Sequence, residues 1–172
     1  MESLQYPIGK YIEQSFSEKQ LKEWLLSIQT LPLHLEQAIL NLDEAQLLIP
    51  YREGGWNIQE IVHHVADSHM NAYIRFKNGL CEDNPIIKPY NQAAWANMPD
   101  SQQLPVNISI TLLFALHHRW HEILKNMKRE DWNRTLFHPE YQKTTTLWYM
   151  LGNYAWHGKH HVAHIRILQP LV

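Results

Sequence analysis

Four long segments with apolar residues at helical spacing constrain the fold of this chain more than any other feature. They run from about Glu18 to Leu42, from Asn57 to about Leu80, from Asn107 to Met127 and from Thr146 to about Leu168. In each segment apolar side chains recur every three or four residues, as on the buried face of a helix. Pro32 predicts a kink in the first segment. Strand signals are weak throughout, so four such helices in 172 residues predict an all-α four-helix bundle.

Local signals mark where helices begin and where the chain leaves the helical pattern. Asn57 is a good N-cap, and Glu60 three residues later completes a capping-box pattern. The long loop between helices two and three, from Glu82 to Pro105, contains four prolines and cannot be one helix, although a short helical turn is expected at Gln92–Asn97. Loops this long in small domains are usually functional. We expect an irregular segment from Arg129 to Thr144.

Charge and cysteine content exclude several classes of protein. The formal net charge is −2, without the basic bias that nucleic-acid binding usually requires. Cys81 is the sole cysteine, so neither an internal disulfide nor a cysteine-based metal site can form. No apolar run reaches the roughly 20 residues that span a bilayer, and Met1–Lys10 lacks the layout of a signal peptide. We therefore expect a single domain over residues 1–172, located in the cytoplasm, with no nucleic-acid or membrane partner.

Histidine is the unusual component of this sequence. There are twelve histidines. Ten of them fall in three clusters, at positions 63, 64 and 69, at 117, 118 and 121, and at 157, 160, 161 and 164. Because imidazole is both an acid–base group and a common ligand of transition metals, we expect the chemistry of the protein at these clusters.

The last helix carries two histidine pairs at i, i+4 spacing, which places both rings of a pair on one face and within reach of one metal ion. On a helical wheel His157 and His161 lie at or inside the apolar stripe, whereas His160 and His164 lie off it and are expected to face outward. Gly158 on the same stripe would let a neighbouring helix approach closely. Paired histidines are also common on helix surfaces, so this pattern alone does not establish a metal site.

Helices two and three offer further candidates. His69 lies in the middle of the apolar stripe of helix two and His64 on its flank, so the pattern alone favours His69. A histidine in such a stripe is nevertheless more often a hydrogen-bonded packing residue than a ligand. On helix three, His117 and His121 lie off a predicted stripe through Leu112, Leu116, Trp120, Ile123 and Met127. We interpret these two as neighbours of a site or as surface groups.

Sequence motifs spread over nearly the whole chain, from Tyr6 to Ile165, complement these patterns. The motifs are Tyr6–Gly9, Gly54–Ile58, His63–Asn71, Tyr73–Phe76, Lys88–Tyr90, Trp95, Leu116-His117 with Arg119-Trp120, Phe137–Pro139, and Trp156-His157 with His160–Ile165. Taken in this order, they resemble the DinB-like superfamily and, most closely, its YfiT-type branch of metal-dependent hydrolases.

This resemblance implies a four-helix bundle, often a homodimer, with one divalent transition metal per chain, zinc or nickel, bound by three histidines. The family's ligand on helix two precedes an apolar-Ala-Asp step, which maps onto His64 and overrides the preference for His69. The family's C-terminal pair maps onto His157 and His161, in agreement with the wheel. Asn91 stands where the branch often has aspartate, which weakens any proposal of a catalytic carboxylate there.

Three imidazoles with an open fourth position are typical of a catalytic metal site. Zinc and nickel suit nitrogen ligands, whereas calcium and magnesium do not. A metal held in this way lowers the pKa of bound water from 15.7 toward about 7, which favours hydrolysis of a small-molecule substrate. The sequence identifies no general acid or base, although Asp67 could orient a ligand histidine. Tyr90 and Trp95 of the long loop are candidates for the wall of a pocket.

Two other functions stay open at the level of sequence. A low-molecular-weight thiol similar to bacillithiol could occupy the open position and attack an electrophile, which would make the protein a metal-dependent S-transferase. The DinB-like superfamily contains thiol-dependent enzymes. The chain could instead be a non-enzymatic, metal-binding stress protein, although storage would favour more ligands than three.

Overall fold

Four long helices dominate the computed structural model of the protein, which describes residues 2–168. The predicted fold class, a four-helix bundle, is confirmed. The helices are α1 (Glu2–Gln5), α2 (Glu18–Ile39), α3 (Glu44–Leu47), α4 (Ile58–Cys81), α5 (Gln92–Ala96), α6 (Pro99–Gln103), α7 (Asn107–Lys125) and α8 (Leu147–Leu168). None of these described helices is both long and apolar enough to cross a membrane.

Helix α4 begins where the sequence predicts a cap. The side chain of Asn57 accepts a hydrogen bond from Glu60 N at 2.8 Å, and Glu60 Oε2 accepts one from Asn57 N at 2.9 Å, which confirms the capping box of α4. Ser17 caps α2 in a similar way by accepting a bond from Gln20 N at 3.1 Å. Helix α2 continues through the buried Pro32 and ends at Ile39, three residues earlier than expected.

Helices α2 and α4 each pack against both α7 and α8, so the interior of the bundle is bounded by all four. Two groups of buried apolar side chains fill it. The larger group includes Trp24, Phe76 and Trp120. The close approach expected at Gly158 is confirmed, because a Cβ built there would lie 2.5 Å from Leu31 Cδ2 of α2.

The buried face of α7 differs from the predicted one. Its buried residues are Ser109, Ile110, Leu113, His117, Trp120 and Leu124. Leu112 of the predicted stripe is instead 39% exposed. The predicted stripe contains apolar residues alone, but a histidine with hydrogen-bond partners inside the bundle can occupy a core position as well as an apolar residue.

A two-stranded hairpin replaces part of the segment that was expected to be irregular. Strands β1 (Thr135–His138) and β2 (Lys143–Thr146) are antiparallel, with Thr135 opposite Thr146. The hairpin also holds the long connection between α4 and α7, since Phe137 N donates to Pro85 O at 3.0 Å. Strands of four residues carry too little alternation to be recognised in the sequence.

The long connection contains two short helices. The helical turn expected at Gln92–Asn97 is confirmed by α5, whose N-cap Asn91 accepts a hydrogen bond from Ala94 N at 3.0 Å. Asn91 therefore has a structural role at the position where aspartate was the family expectation. Helix α6 was not predicted, although Pro99 at its first turn is favourable there.

Candidate metal centre

Helices α4 and α8 bring three histidines together inside the bundle. His64 comes from α4, and His157 and His161 lie one turn apart on α8. One potential ligand atom of each lies within 4.8 Å of the others. The Nε2 atom of His157 is 3.3 Å from Nε2 of His64 and 3.2 Å from Nε2 of His161. These are the three residues that the family resemblance assigns as ligands.

The two separations that involve His157 Nε2 match the edges of a coordination tetrahedron. Bonds of about 2.0–2.1 Å from zinc to histidine nitrogen, at the tetrahedral angle, separate neighbouring ligand nitrogens by about 3.3–3.4 Å. The measured separations of 3.2 and 3.3 Å are close to that value. With one ligand atom of each ring within 4.8 Å of the others, the three histidines could hold one small divalent ion.

A chain of hydrogen bonds determines which nitrogen of His157 carries the hydrogen. His117 Nδ1 lies 2.5 Å from Ile28 O, His117 Nε2 lies 3.0 Å from His69 Nδ1, and His69 Nε2 lies 3.2 Å from His157 Nδ1. The carbonyl of Ile28 can only accept, so with neutral rings each Nδ1–H donates to the next acceptor. This first hydrogen-bond chain leaves a lone pair on His157 Nε2.

A second hydrogen-bond chain acts on His161 in the same way. His164 Nε2 donates to Gln5 O at 3.2 Å, so His164 Nδ1 is an acceptor for His161 Nδ1–H at 3.4 Å. His161 Nε2 then also carries a lone pair. The 3.2 Å contact between His157 Nε2 and His161 Nε2 joins two acceptors, and a cation between them would remove their repulsion.

The interior keeps these imidazoles uncharged at neutral pH. Burial, with a smaller contribution from His160, lowers the pKa of His64 to about 4. Burial and the neighbouring rings lower the pKa of His157 and His161 well below the usual value of histidine. Neutral imidazole is the form that binds a metal, so the protein removes most of the competition from protons near pH 7.

His69 and His63 are buried on α4, but their contacts differ. His69 is fully buried and lies in the first hydrogen-bond chain, so it contacts a candidate ligand and is directed away from the three-nitrogen cluster. His63 instead bonds Ser109 Oγ at 2.7 Å and Leu104 O at 3.1 Å, which ties α4 to the start of α7.

The expectation that His160 and His164 face outward is wrong, because both side chains are buried. The ring of Tyr51 stacks on His164 at 4.0 Å, and Trp156 stacks on His160 at 4.5 Å. Tyr6 also lies against His160, at 5.8 Å. The helical wheel considered only the long helices and could not include side chains from the N-terminal segment and from the loop before α4.

The three histidines of α7 differ in burial, which the sequence did not reveal. His117 is buried and belongs to the first hydrogen-bond chain, so its interpretation as a possible surface group is wrong, and it is a neighbour of the candidate centre. His121 is partly exposed and His118 is exposed. Trp120, itself part of the apolar core, makes edge-to-face contacts with both His69 and His117.

Asp67 does not orient a candidate ligand in this structure. Across residues 2–168, no hydrogen bond joins its carboxylate to a histidine, and its backbone carbonyl accepts one from Asn71 Nδ2 at 2.9 Å. Burial, with a contribution from Asp100, raises the pKa of Asp67 to about 6. The orienting groups are instead two backbone carbonyls acting through His69, His117 and His164.

A cavity of about 450 Å³ reaches the candidate centre at His157. Its walls come from α4, the long connection, the β-hairpin and α8. Tyr90 lines the cavity as expected, and Trp95 packs against the Tyr90 ring at 4.5 Å without lining it. Arg75 and His138 also line it, and sequence reasoning assigned neither a role, although both lie in motifs of the family resemblance.

Comparison with known proteins places the fold and the histidine cluster in context. The family model that matches is described as the DinB superfamily, over residues 30–165. Relatives in Bacillus cereus strain ATCC 10987 and Bacillus anthracis are 48% and 47% identical over 170 residues, covering 98% of this chain and 97% of each relative. Both are named "Putative metal-dependent hydrolase". YfiT from Bacillus subtilis, described as a probable metal-dependent hydrolase with an unusual four-helix bundle topology, superposes with a TM-score of 0.95 at 40% identity, covering 98% of both chains.

Proposed function

The chain belongs to the DinB superfamily, and from this premise we propose that it is a hydrolase that uses one divalent zinc or nickel ion, held by His64, His157 and His161. The observation that carries the proposal is the convergence of three Nε2 atoms, two of whose separations match the edge of a coordination tetrahedron. The names of its relatives support metal-dependent hydrolysis, and an all-nitrogen donor set supports zinc or nickel over calcium or magnesium.

Different residues of the chain would orient the ligands, bind the metal ion and enclose the substrate at such a site. The two hydrogen-bond chains hold His157 and His161 with their Nε2 lone pairs toward the cluster, and His64 completes the set from the neighbouring helix α4. A bound divalent ion supplies Lewis acidity, which lowers the pKa of water to about 7. The cavity of about 450 Å³ beside His157 has room for a compound of limited size.

The same proposal includes the substrate class, the cellular location and the oligomeric state of the protein. A small-molecule substrate is supported by the size of the cavity. The cytoplasmic location rests on the sequence reasoning, and the homodimer rests on the family resemblance. Sedimentation equilibrium of the purified protein measures the oligomeric state directly.

Metal analysis combined with activity measurements tests the proposal. Protein purified without chelator should retain about one zinc or nickel ion per chain, and it should hydrolyse members of an ester and amide panel. His64→Ala should lose both metal and activity. His118→Ala, which changes an exposed histidine of α7, should keep both.

The outcome of the same panel separates the rival functions. Turnover that appears only when a low-molecular-weight thiol and an electrophile are supplied together would replace the hydrolase by the S-transferase. Metal retention without turnover in any arm would favour the non-enzymatic protein. Absence of retained metal at neutral pH would contradict all three.

A further inference from the structure

Within residues 2–168, Arg75 is one of two cationic side chains that line the cavity next to the candidate metal centre. It belongs to α4, is partly buried, and lines the same cavity as His157. Its Nη1 donates to Tyr154 Oη at 2.9 Å, and its Nη2 donates to Lys88 O at 3.3 Å. These two uncharged acceptors hold the guanidinium in place and leave its remaining N–H groups available.

Among the described residues, no carboxylate forms an ion pair with Arg75. Between residues 2 and 168, side-chain ion pairs within 4.0 Å join Lys19 to Glu23 and Lys125 to Glu122, and none involves Arg75. A partly buried guanidinium without a counter-ion is unfavourable, and a bound anion would relieve the cost. The positive charge of Arg75 acts inside the cavity, because burial and Arg75 together lower the pKa of His138.

The rest of the cavity wall also favours an anion. Lys143 provides a second cation, and Glu140 is the one carboxylate among the residues that line this cavity. His138 is a further lining residue, and its buried Nδ1 has no hydrogen-bond partner within the described part of the chain. An oxygen-rich ligand could satisfy both the guanidinium and this imidazole.

We propose that Arg75 binds an anionic oxygen group of the substrate, a carboxylate or a phosphate, and thereby holds the substrate with its reactive bond toward His157. The proposal rests on the proposed function for the direction of the reactive bond, but not for the binding of the anion. Carboxylate and phosphate share the chemistry that matters, because both accept two parallel N–H bonds from a guanidinium. The substrate class is therefore a small anionic ester, amide or related compound.

Calorimetric binding of small probes to the zinc-loaded full-length protein tests the inference. The probes are glutarate, its neutral analogue glutaramide, and inorganic phosphate. Wild-type protein should bind glutarate or phosphate more tightly than glutaramide. Arg75→Gln should weaken binding of the anion by about tenfold or more and leave glutaramide unchanged. Arg119→Gln, which changes an exposed arginine of α7 outside the cavity, should behave as wild type.

The same probes decide between the sources of the anion and can overturn the proposal. A loss confined to glutarate assigns a carboxylate, and a loss confined to phosphate assigns a phosphate. Equal binding of anions by wild-type protein and Arg75→Gln, or no preference of the wild type for any anion over glutaramide, would overturn it. Arg75→Lys keeps the charge and provides a second test in case Arg75→Gln does not fold. It should retain the preference for the anion with weaker binding, and loss of that preference would also contradict the proposal.

An activity measurement separates this inference from the proposed function. If the protein hydrolyses esters, Arg75→Gln should raise KM for the mono-4-nitrophenyl ester of glutarate at least tenfold and leave KM for 4-nitrophenyl acetate nearly unchanged. If neither ester is hydrolysed, the proposed function is in doubt, whereas the calorimetric comparison still decides whether Arg75 binds anions.

Discussion

At the scale of single residues, the buried histidines differ in the acceptor that determines where each ring carries its hydrogen. Ile28 O acts on His157 through two intervening rings, and Gln5 O acts on His161 through one. A metal-binding histidine usually has its other ring nitrogen bonded in this way, and loss of that partner typically weakens metal binding 10–100-fold. The first hydrogen-bond chain also connects all four long helices, because its members come from α2, α4, α7 and α8.

His69→Ala tests this role against a matched control on the same helix. The substitution removes the acceptor for His157 Nδ1–H and leaves a buried donor unpaired. We expect about 1–3 kcal/mol of lost stability and metal affinity lowered by about 10–100-fold. His63→Ala also removes a buried ring with two hydrogen bonds, but those bonds lead to Ser109 and Leu104. It should therefore cost stability and leave metal affinity nearly unchanged.

Urea unfolding and competitive metal titration measure the two quantities separately. If His63→Ala and His69→Ala lower metal affinity by the same factor, the effect is a general consequence of destabilisation, and the orienting role of His69 is wrong.

The sequence identified some residues of the candidate site and not others. The inward direction of His157 and His161 followed from periodicity, because both lie near the apolar stripe of α8. His64 could not be chosen over His69 by periodicity, since both reach the interior and only the hydrogen-bond network separates them. Arg75 was missed because a lone arginine on a helix is ordinary until the cavity around it is known.

At the scale of the helices and strands, α8, which carries two of the three candidate ligands, packs closely against α2 at two glycines. Gly158 allows α2 to approach α8, and Gly152 lies against Trp24. The 3.6-residue periodicity, with a capping box at the start of α4, predicted the four long helices well, because both signals depend mainly on local sequence. The hairpin at 135–146 and the burial of His160 and His164 depend on contacts distant in sequence, which periodicity does not report.

Gly152→Ala tests the close approach on α8. A Cβ at this position would lie 2.5 Å from Cη2 of the Trp24 ring, and that ring is fixed among the aromatic side chains of the core. Alanine is favoured over glycine in a helix by about 1 kcal/mol, but overpacking typically costs about 1–3 kcal/mol. We expect a net loss of stability in chemical denaturation. Lys159→Ala, at an exposed position on the same helix, should change stability by less than about 0.5 kcal/mol. A more stable Gly152→Ala would show that the Trp24 ring can move aside.

At the scale of the whole molecule, the buried histidines make stability of the metal-free protein depend on pH. Burial lowers the pKa of His117 to about 4, and burial with neighbouring rings lowers that of His69 well below its usual range. The unfolded chain takes up protons on its histidines below about pH 6.5, whereas the folded chain does not until near its lower pKa values. Stability should therefore fall as pH drops from about 6.5 toward 4, by about 1.4 kcal/mol per pH unit for each such histidine.

Urea unfolding of the metal-free protein at several pH values from 7 to 4.5 measures this dependence. Asp67 opposes it, because a carboxyl whose pKa is raised to about 6 binds protons more readily in the folded state. One carboxyl cannot offset several histidines. Constant stability across this range would mean that the rings are already protonated, or accessible to water, in the folded protein.

Removal of the metal should separate the fold from the chemistry. Large side chains from all four long helices and the loops fill the interior, among them the fully buried Leu35, Phe76, Trp120, Trp132 and Leu151, so the bundle has an apolar core that does not depend on an ion. Metal binding adds only its linkage free energy, about 2.7 kcal/mol at 100 times the dissociation constant and about 4.1 kcal/mol at 1,000 times. For a domain of this size that corresponds to a melting temperature lower by about 5–15 °C in the metal-free protein.

Chelated protein should thus keep its helical circular dichroism and a cooperative melt, and it should lose activity that returns when zinc or nickel is added back. Outright unfolding on chelation would instead mean that the ion holds α4 and α8 together, and a centre with that structural role would not fit a site with a position open to substrate.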